Sequence, residues 1–346
     1  MVIDELSVDG YERVVHARDD ASGLDAYVAI HSLALGPALG GLRVWQYEST
    51  RAAQTDAERL ARGMTYKNSL AGLDLGGGKA VINGVKTPDK LRAFAEVLNY
   101  LDGDYITAED VGTNPDDMRI LLEGSKHVVP PELGDPSPAT ALGVLRAIEG
   151  ALMWTYEAEA NVPDIGNYSY AIMGVGNVGW AIAEMLAFKG AHLVVADINK
   201  DAVTRLVEKI PGTRVMDAAE IHKAPVDVFV PCALGGILNP DTIPEIEAHL
   251  VVGSANNQLA DEQRDSRLLM EHDIHYVPDY LANAGGVINV YREFEVVPSD
   301  YHVAAILDNI RENAWAVLEN SSYGGDNTPL NEANKMAEQR LVKATQ

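Results

Sequence analysis

The chain has 346 residues, of which 47% are hydrophobic, enough for two domains of ordinary size with substantial cores. Its 27 Lys and Arg stand against 51 Asp and Glu, a net charge of -24 that opposes nucleic-acid binding, because phosphate contacts need a basic face. No apolar run approaches the roughly 18–20 residues of a membrane span, and the charged opening segment lacks the apolar block of a signal peptide, so the expected location is the cytoplasm.

The first expected elements are an extended stretch around His31, a helix from Thr50 to Asn68, a strand following Lys79, a helix from Pro88 to Leu101 and a short strand at Tyr105 and Ile106. They read as an α/β unit without a nucleotide fingerprint. In the first helix Ala53, Ala57, Leu60, Ala61 and Met64 recur at helical spacing, and Lys67 falls on the same stripe, where a cation either pairs with an anion or snorkels to solvent along its stem. The chain is then expected to turn through residues 71 to 75 and the run Gly76, Gly77, Gly78 before the apolar strand Ala80, Val81, Ile82. That leaves Lys79 where backbone can approach a ligand closely. Two amines near one pocket suit an anionic substrate and a base. The strand at Tyr105 delivers Thr107, Ala108, Glu109 and Asp110 at its end, before a helix opened by Asn114 and Pro115; a carboxylate there either relays protons or favours the following helix dipole.

The proline-dense segment from Pro130 to Pro138 cannot continue a helix or a central strand and marks the domain boundary, with one domain over residues 1–130 and another over 131–325. Beyond it, strand-like runs at 168–173, 192–196, 226–230, 250–252 and 275–277 alternate with helices, the pattern of a doubly wound parallel sheet. The first of these runs leads into Gly174, Val175, Gly176, Asn177, Val178 and Gly179, followed by a helix with Ala181, Ile182, Met185 and Leu186 on its apolar face. In a Rossmann fingerprint the first glycine permits the turn, the second lets pyrophosphate reach the backbone, and the third lets helix pack on strand. Asp197 ends the second strand at about the 20-residue spacing of the carboxylate that accepts from a ribose 2′-hydroxyl, which favours NAD over NADP. Ser254, Ala255, Asn256 and Asn257 follow another strand, where the two amides recognise polar ligand groups or make Asx turns. Cys232, the single cysteine, excludes an internal disulfide and reads as a small buried hydrophobe beside the cofactor, since no basic residue flanks it. His272 and His275 have no second cluster to complete a metal site, so no metal is expected. The tail should form a helix near 301–319, a glycine-containing turn, and a helix capped by Thr328 with Pro329 at its first position.

From about residue 10 to residue 293 these features together resemble the amino-acid dehydrogenase family of glutamate, leucine, phenylalanine and valine dehydrogenases, its leucine-type branch above all. The resemblance is carried in order by the segment Gly36 to Arg43, the helix end Gly63 to Asn68, the run Gly76 to Lys79, Thr107 to Asp110, the Rossmann glycines, Pro231 to Gly236, Ser254 to Asn257 and Asn283 to Asn289. It implies that Lys67 holds the substrate α-carboxylate together with Asn256, that Lys79 is the catalytic base and that Asp110 shuttles protons. It further implies substrate contacts from Gly40, Gly41, Leu39, Ala108, Val287 and Val290, and NAD contacts from Gly174, Gly176, Asn177, Val178, Gly179, Asp197, Thr140, Cys232, Ala233 and Asn257. The implied architecture is an α/β substrate-binding and oligomerisation domain, with the last helix over 326–346 packing back on it, joined to a Rossmann NAD-binding domain in a homo-oligomer. The implied reaction is reversible oxidative deamination of an amino acid to a 2-oxo acid and ammonia. Where glutamate dehydrogenases have a lysine and a serine, this chain has Leu39 and Val290, so nothing pairs a γ-carboxylate and an aliphatic side chain is expected. An aromatic substrate such as phenylalanine or tryptophan stays open, as does a catalytically idle NAD-binding regulator. Departures from the family pattern are a shortened loop around Val128 to Asp135, about one extra residue between Asn257 and Val287, and an unusual stretch from Arg292 to Pro298.

Overall fold

Two six-stranded sheets, each in a unit of its own, organise the computed structural model, which describes residues 1–131, 135–156, 162–233, 235–294, 300–321 and 327–346. The first unit comprises Met1–Gly134 and Ala337–Gln346, the second Asp135–Met336. Leu234, the middle of the 130–138 segment, the end of the Arg292 to Pro298 stretch and the glycine-containing turn before Thr328 lie outside the described residues.

The first unit runs β1 (Val2–Leu6), β2 (Arg13–Asp19), β3 (Leu24–Ser32), β4 (Ala38–Trp45), α1 (Thr50–Leu70), β5 (Gly76–Asn83), α2 (Pro88–Tyr100), β6 (Tyr105–Glu109) and α3 (Pro115–Gly124). Its sheet has the order β1-β2-β3-β5-β4-β6. The first three strands and β5 pair antiparallel, whereas β4 lies parallel to both β5 and β6. Asn114 caps α3 in a capping box with Asp117, and Pro115 fills the first turn. Core residues such as Ile30, Leu42, Ile82, Phe94 and Leu98 fill one face of this sheet.

The glycine run is not a turn. Gly76, Gly77 and Gly78 are the first residues of β5, and the bend falls before them, at Gly72 with φ +78°. Bare glycine carries no hydrophobic alternation, so nothing in the sequence marks the strand. In the structure a Cβ on Gly77 would stand 2.0 Å from the Thr65 nitrogen, and one on Gly78 would stand 2.7 Å from the Tyr105 ring. The strand is glycine because α1 and β6 press on it from either side. The buried face of α1 is correspondingly small, built of Ala53, Ala57, Ala61 and Thr65. Leu60, Met64 and Lys67 are half-buried, which corrects the expected stripe: Lys67 stands at the edge of the buried face, beside the buried Tyr66 and Asn68.

The second unit runs α4 (Ser137–Thr155), β7 (Ser169–Met173), α5 (Asn177–Phe188), β8 (His192–Ala196), α6 (Lys200–Lys209), β9 (Arg214–Val215), β10 (Val228–Pro231), β11 (Leu250–Val251), α7 (Glu262–Glu271), β12 (His275–Tyr276), α8 (Asp279–Ala282), α9 (Gly285–Phe294) and α10 (Asp300–Asn320). The last helix, α11 (Pro329–Ala344), begins here under the cap of Thr328, whose Oγ1 accepts from Asn331 N–H at 3.2 Å. All its strands pair parallel, in the order β9-β8-β7-β10-β11-β12. Strand order thus reverses between β7 and β10, and in a doubly wound sheet the crevice at that reversal is where ligands bind. The edge strand β9 is too short and too exposed to announce itself by pattern.

Candidate active site

Lys79 is the most deeply buried charge near the motifs. Its side chain, 6% exposed, projects from the middle of β5, and its Nζ lies 3.0 Å from Asp110 Oδ2. Asp110 is placed by the end of β6: its N–H donates to Thr113 Oγ1 at 2.9 Å, and Thr113 Oγ1 donates to the Leu42 carbonyl of the neighbouring strand. Alternation along this stretch leaves Glu109 exposed and turns Asp110 inward, so of the two acids only Asp110 meets the lysine. Gly41 makes the meeting possible, because a Cβ there would stand 2.6 Å from Asp110 Cβ and 3.2 Å from Lys79 Nζ. Gly40 is excluded from bearing a side chain by the Gly78 carbonyl, 1.8 Å from its would-be Cβ. The fully buried Tyr105 supports both glycines from below, donating from Oη to the Gly40 carbonyl at 2.9 Å.

One side chain in this cluster has no role assigned from the sequence. Arg43 Nε donates to Asp110 Oδ2 at 2.9 Å, the same oxygen that faces Lys79. Burial lowers the pKa of Lys79 below the ordinary lysine range; the Asp110 charge opposes this, and Arg43 adds to the fall. Burial raises Asp110, but Lys79 and Arg43 together outweigh it and hold its carboxyl below the usual range. The result is a buried amine that needs less alkali to become neutral than a solvated lysine, next to a carboxylate that stays ionised.

Of the other first-unit candidates, Leu39 is buried in β4 at 2% exposure and Ala108 is half-buried in β6, where Gly41 pairs with Ala108 across the strands. Lys67 sits in the last turn of α1.

In the second unit the loop after β7 has the expected form. Gly174 takes φ +100° and packs so closely on Cys232 and Ala233 that a Cβ would stand 2.9 Å from both. Gly176 caps α5 and has no atom within 4 Å of a would-be Cβ, whereas a Cβ on Gly179 would stand 1.9 Å from the Gly174 carbonyl. Open space at the second glycine, with the amides of Asn177 and Val178 opening the helix, fits the approach of a pyrophosphate. Asp197 is fixed at the end of β8, one oxygen accepting from Val175 N–H and the other from Asn199 N–H, each at 2.7 Å. A carboxylate has further lone pairs, so ribose hydroxyls can still be accepted. The Cys232 thiol is pushed up by burial, against the character of a nucleophile. Thr140, in the first turn of α4, is spent on the Pro136 carbonyl and lies 2.7 Å from the would-be Cβ of Gly286. Val287 and Val290 are half-buried and share one face of α9.

Asn256 and Asn257 are exposed, and Asn257 takes a left-handed φ of +53°, the conformation for which Asn is suited. Asn283 Nδ2 donates to Asn256 Oδ1 at 2.8 Å, which leaves the Asn256 amide nitrogen as a donor. Among the described residues no group of three or more His, Cys, Asp or Glu is arranged to hold a metal ion, and no helix is long and apolar enough to cross a membrane.

A parallel sheet in this strand order, carrying this glycine loop at its reversal point, has the architecture of a dinucleotide-binding domain. A sequence model of the Glu/Leu/Phe/Val dehydrogenase dimerisation domain matches residues 11–127, and a model of glutamate/leucine/phenylalanine/valine dehydrogenase matches residues 196–346. Leucine dehydrogenase of Geobacillus stearothermophilus is 44% identical over 96% of this chain and 90% of its own length. Phenylalanine dehydrogenase of Bacillus thermotolerans is 39% identical over 96% and 88%. The crystal structure of L-tryptophan dehydrogenase from Nostoc punctiforme superposes with a TM-score of 0.86 at 37% identity, covering 97% of each chain. The chain belongs to the glutamate/leucine/phenylalanine/valine dehydrogenase family and is an amino-acid dehydrogenase of the leucine dehydrogenase type.

Proposed function

We propose that this enzyme catalyses the reversible NAD-dependent oxidative deamination of an apolar L-amino acid, leucine or another branched-chain acid in preference, to the 2-oxo acid and ammonia. The observation that carries the reading is the buried Lys79 held 3.0 Å from Asp110, an amine and a carboxylate placed for proton transfer rather than for stability. Bound NAD supplies the acceptor for the hydride that leaves the substrate Cα. Lys67 is assigned to neutralise the α-carboxylate. Lys79, in its neutral form, takes a proton from the water that adds to the substrate iminium carbon, so that a carbon–oxygen bond forms. Asp110, ionised at rest, relays the proton held by Lys79 to the nitrogen, and as the carbon–nitrogen bond breaks the hydroxyl proton passes to Lys79, giving oxo acid and ammonia. Because this base must be unprotonated, deamination is expected to rise with pH on the alkaline side of neutrality, with the limb below the ordinary lysine pKa of about 10.4; pH–rate profiles check it, and a rate flat from neutral upward speaks against the base.

The residues assigned to the substrate side chain, Leu39, Ala108, Val287 and Val290, offer no cation to a γ-carboxylate, whose uncompensated burial costs several kcal/mol. Aliphatic side chains gain about 25 cal/mol per Å² buried. A second reading, an aromatic substrate, is favoured by the relatives that act on phenylalanine and tryptophan. Discrimination by a methylene or a ring rests on roughly 1 to 3 kcal/mol, so a spectrophotometric NADH assay across a panel of L-amino acids decides between them. Activity on none of them would overturn the proposal. The dimerisation description of the matching N-terminal model supports a homo-oligomer built through the first unit.

The reading of NAD over NADP is supported by Asp197 at the end of β8, a carboxylate that would repel a 2′-phosphate bound beside it. Asp197→Ser should raise the NADP-to-NAD ratio of kcat/KM by about tenfold, equivalent to about 1.4 kcal/mol. Steady-state kinetics with both cofactors measures it.

A further inference from the structure

Arg43 takes no part in the reaction just described, yet it ties the Lys79 and Asp110 pair to the rest of the first unit. Its side chain is 21% exposed on β4, and its planar fork is used at both ends. Nε donates to Asp110 Oδ2 at 2.9 Å, and Nη1 donates to Asp56 Oδ2 on α1, also at 2.9 Å. The Tyr47 hydroxyl donates to that same Asp56 oxygen at 2.5 Å. One guanidinium therefore joins a helix, the strand it sits on and the end of β6, and it meets Asp110 on the oxygen that faces the base.

Resting on the deamination reading, we propose that Arg43 is a positioning residue for the Lys79 base, sharing the inward oxygen of Asp110 so that the amine is held in place without being locked as a permanently protonated ion pair. A lysine alone with a buried carboxylate keeps its proton, since each stabilises the charge of the other. A second, always-charged cation on the same oxygen takes up part of that field and adds its own repulsion. The charged groups acting on Lys79 are Asp110 just past the end of β6, Arg43 on β4 and Asp56 on α1. Around Arg43 itself stand Asp110, Asp56 and Tyr47, with Arg51 and Arg59 of α1 lining the surface cleft beside it. Asp56, being anionic, works against Arg43, so the two residues should move the base in opposite directions.

The test is the pH–rate profile of deamination, with NAD and the best amino acid of the panel, for wild type, Arg43→Met, Arg43→Lys and Asp56→Asn, with circular dichroism to confirm folding. Arg43→Met should move the rising limb up by about one pH unit, a loss of about tenfold at a fixed pH on that limb, with KM for the amino acid nearly unchanged. Arg43→Lys should recover part of the shift, and Asp56→Asn should move the limb down. Opposite shifts from two substitutions in one network are not produced by general loosening of the fold. A limb in Arg43→Met that superimposes on that of wild type overturns the inference; if that variant does not fold, an unmoved limb in Asp56→Asn does so. Absence of deamination in the wild type takes down the deamination reading and this inference with it, whereas an active wild type with unmoved limbs takes down this inference alone.

Discussion

Replacing Lys79 by alanine is expected to reduce the deamination rate by about 10²- to 10⁴-fold, the usual contribution of a positioned general base. NADH formation under saturating substrate measures it, with wild type and Lys79→Ala compared at the same pH. The loss should fall on kcat, because the α-carboxylate is assigned to Lys67 and Asn256 and the side chain to apolar residues that the substitution leaves in place. The variant should remain folded: Lys79 lies in the middle of β5 among hydrogen-bonded strands, and alanine keeps every backbone contact of the ladder. What alanine leaves behind is Asp110 with Arg43 still on its Oδ2, so the carboxylate is not stranded without a cation. Breaking a buried pair by removing one partner costs about 3–5 kcal/mol when the survivor is uncompensated, and Arg43 keeps the penalty below that. Turnover unchanged in this variant would remove the proposed mechanism outright.

Sequence and structure agree best where a backbone requirement writes itself into residue choice. The loop from Gly174 to Gly179 and the capped starts of α3 and α11 could be read directly, because turn geometry, phosphate approach and orphan amides each demand a particular residue type at a particular offset. Residues 76 to 78 could not, since a glycine strand has no side chains to alternate and is identified only by what presses on it. The position of Lys67 was legible to within one helical step, and its half-buried state was not, because α1 buries a narrower, alanine-lined face than its apolar residues suggest. Arg43 was invisible as a functional residue for a different reason. Its partners lie 67 residues away at Asp110 and 13 residues away at Asp56, and in a chain this rich in charge no pattern distinguishes a network from a solvated surface.

Gly77→Ala is expected to destabilise the protein by about 3 kcal/mol or more, at or beyond the top of the 1–3 kcal/mol of ordinary overpacking, and to lower its Tm by roughly 4 °C or more. The added Cβ would stand 2.0 Å from Thr65 nitrogen, 2.3 Å from its Oγ1 and 2.4 Å from its Cα, so the clash is with helix backbone, which cannot rotate away. Relief requires α1 to lift from β5. Thr65 also gives up its place, since its Oγ1 bonds the Ala61 carbonyl and His31 Nδ1 at 3.3 and 3.0 Å. Gly63, on the same helix, supplies the contrast: nothing lies within 4 Å of its would-be Cβ, so Gly63→Ala should raise stability by up to about 1 kcal/mol through helix propensity alone. Thermal unfolding of the two variants side by side separates the close approach of helix and strand from the general effect of adding a methyl group. The two substitutions should also part in catalysis. Lys67 follows Thr65 by one more half-turn of α1 and Lys79 follows Gly77 along β5, so the contact between Thr65 and Gly77 sets the register of the two amines. Whatever Gly77→Ala protein folds should therefore lose affinity for the amino acid as well as rate, whereas Gly63→Ala should retain both; a Gly77→Ala enzyme with wild-type Tm and kinetics would show that α1 and β5 have slack the packing does not suggest.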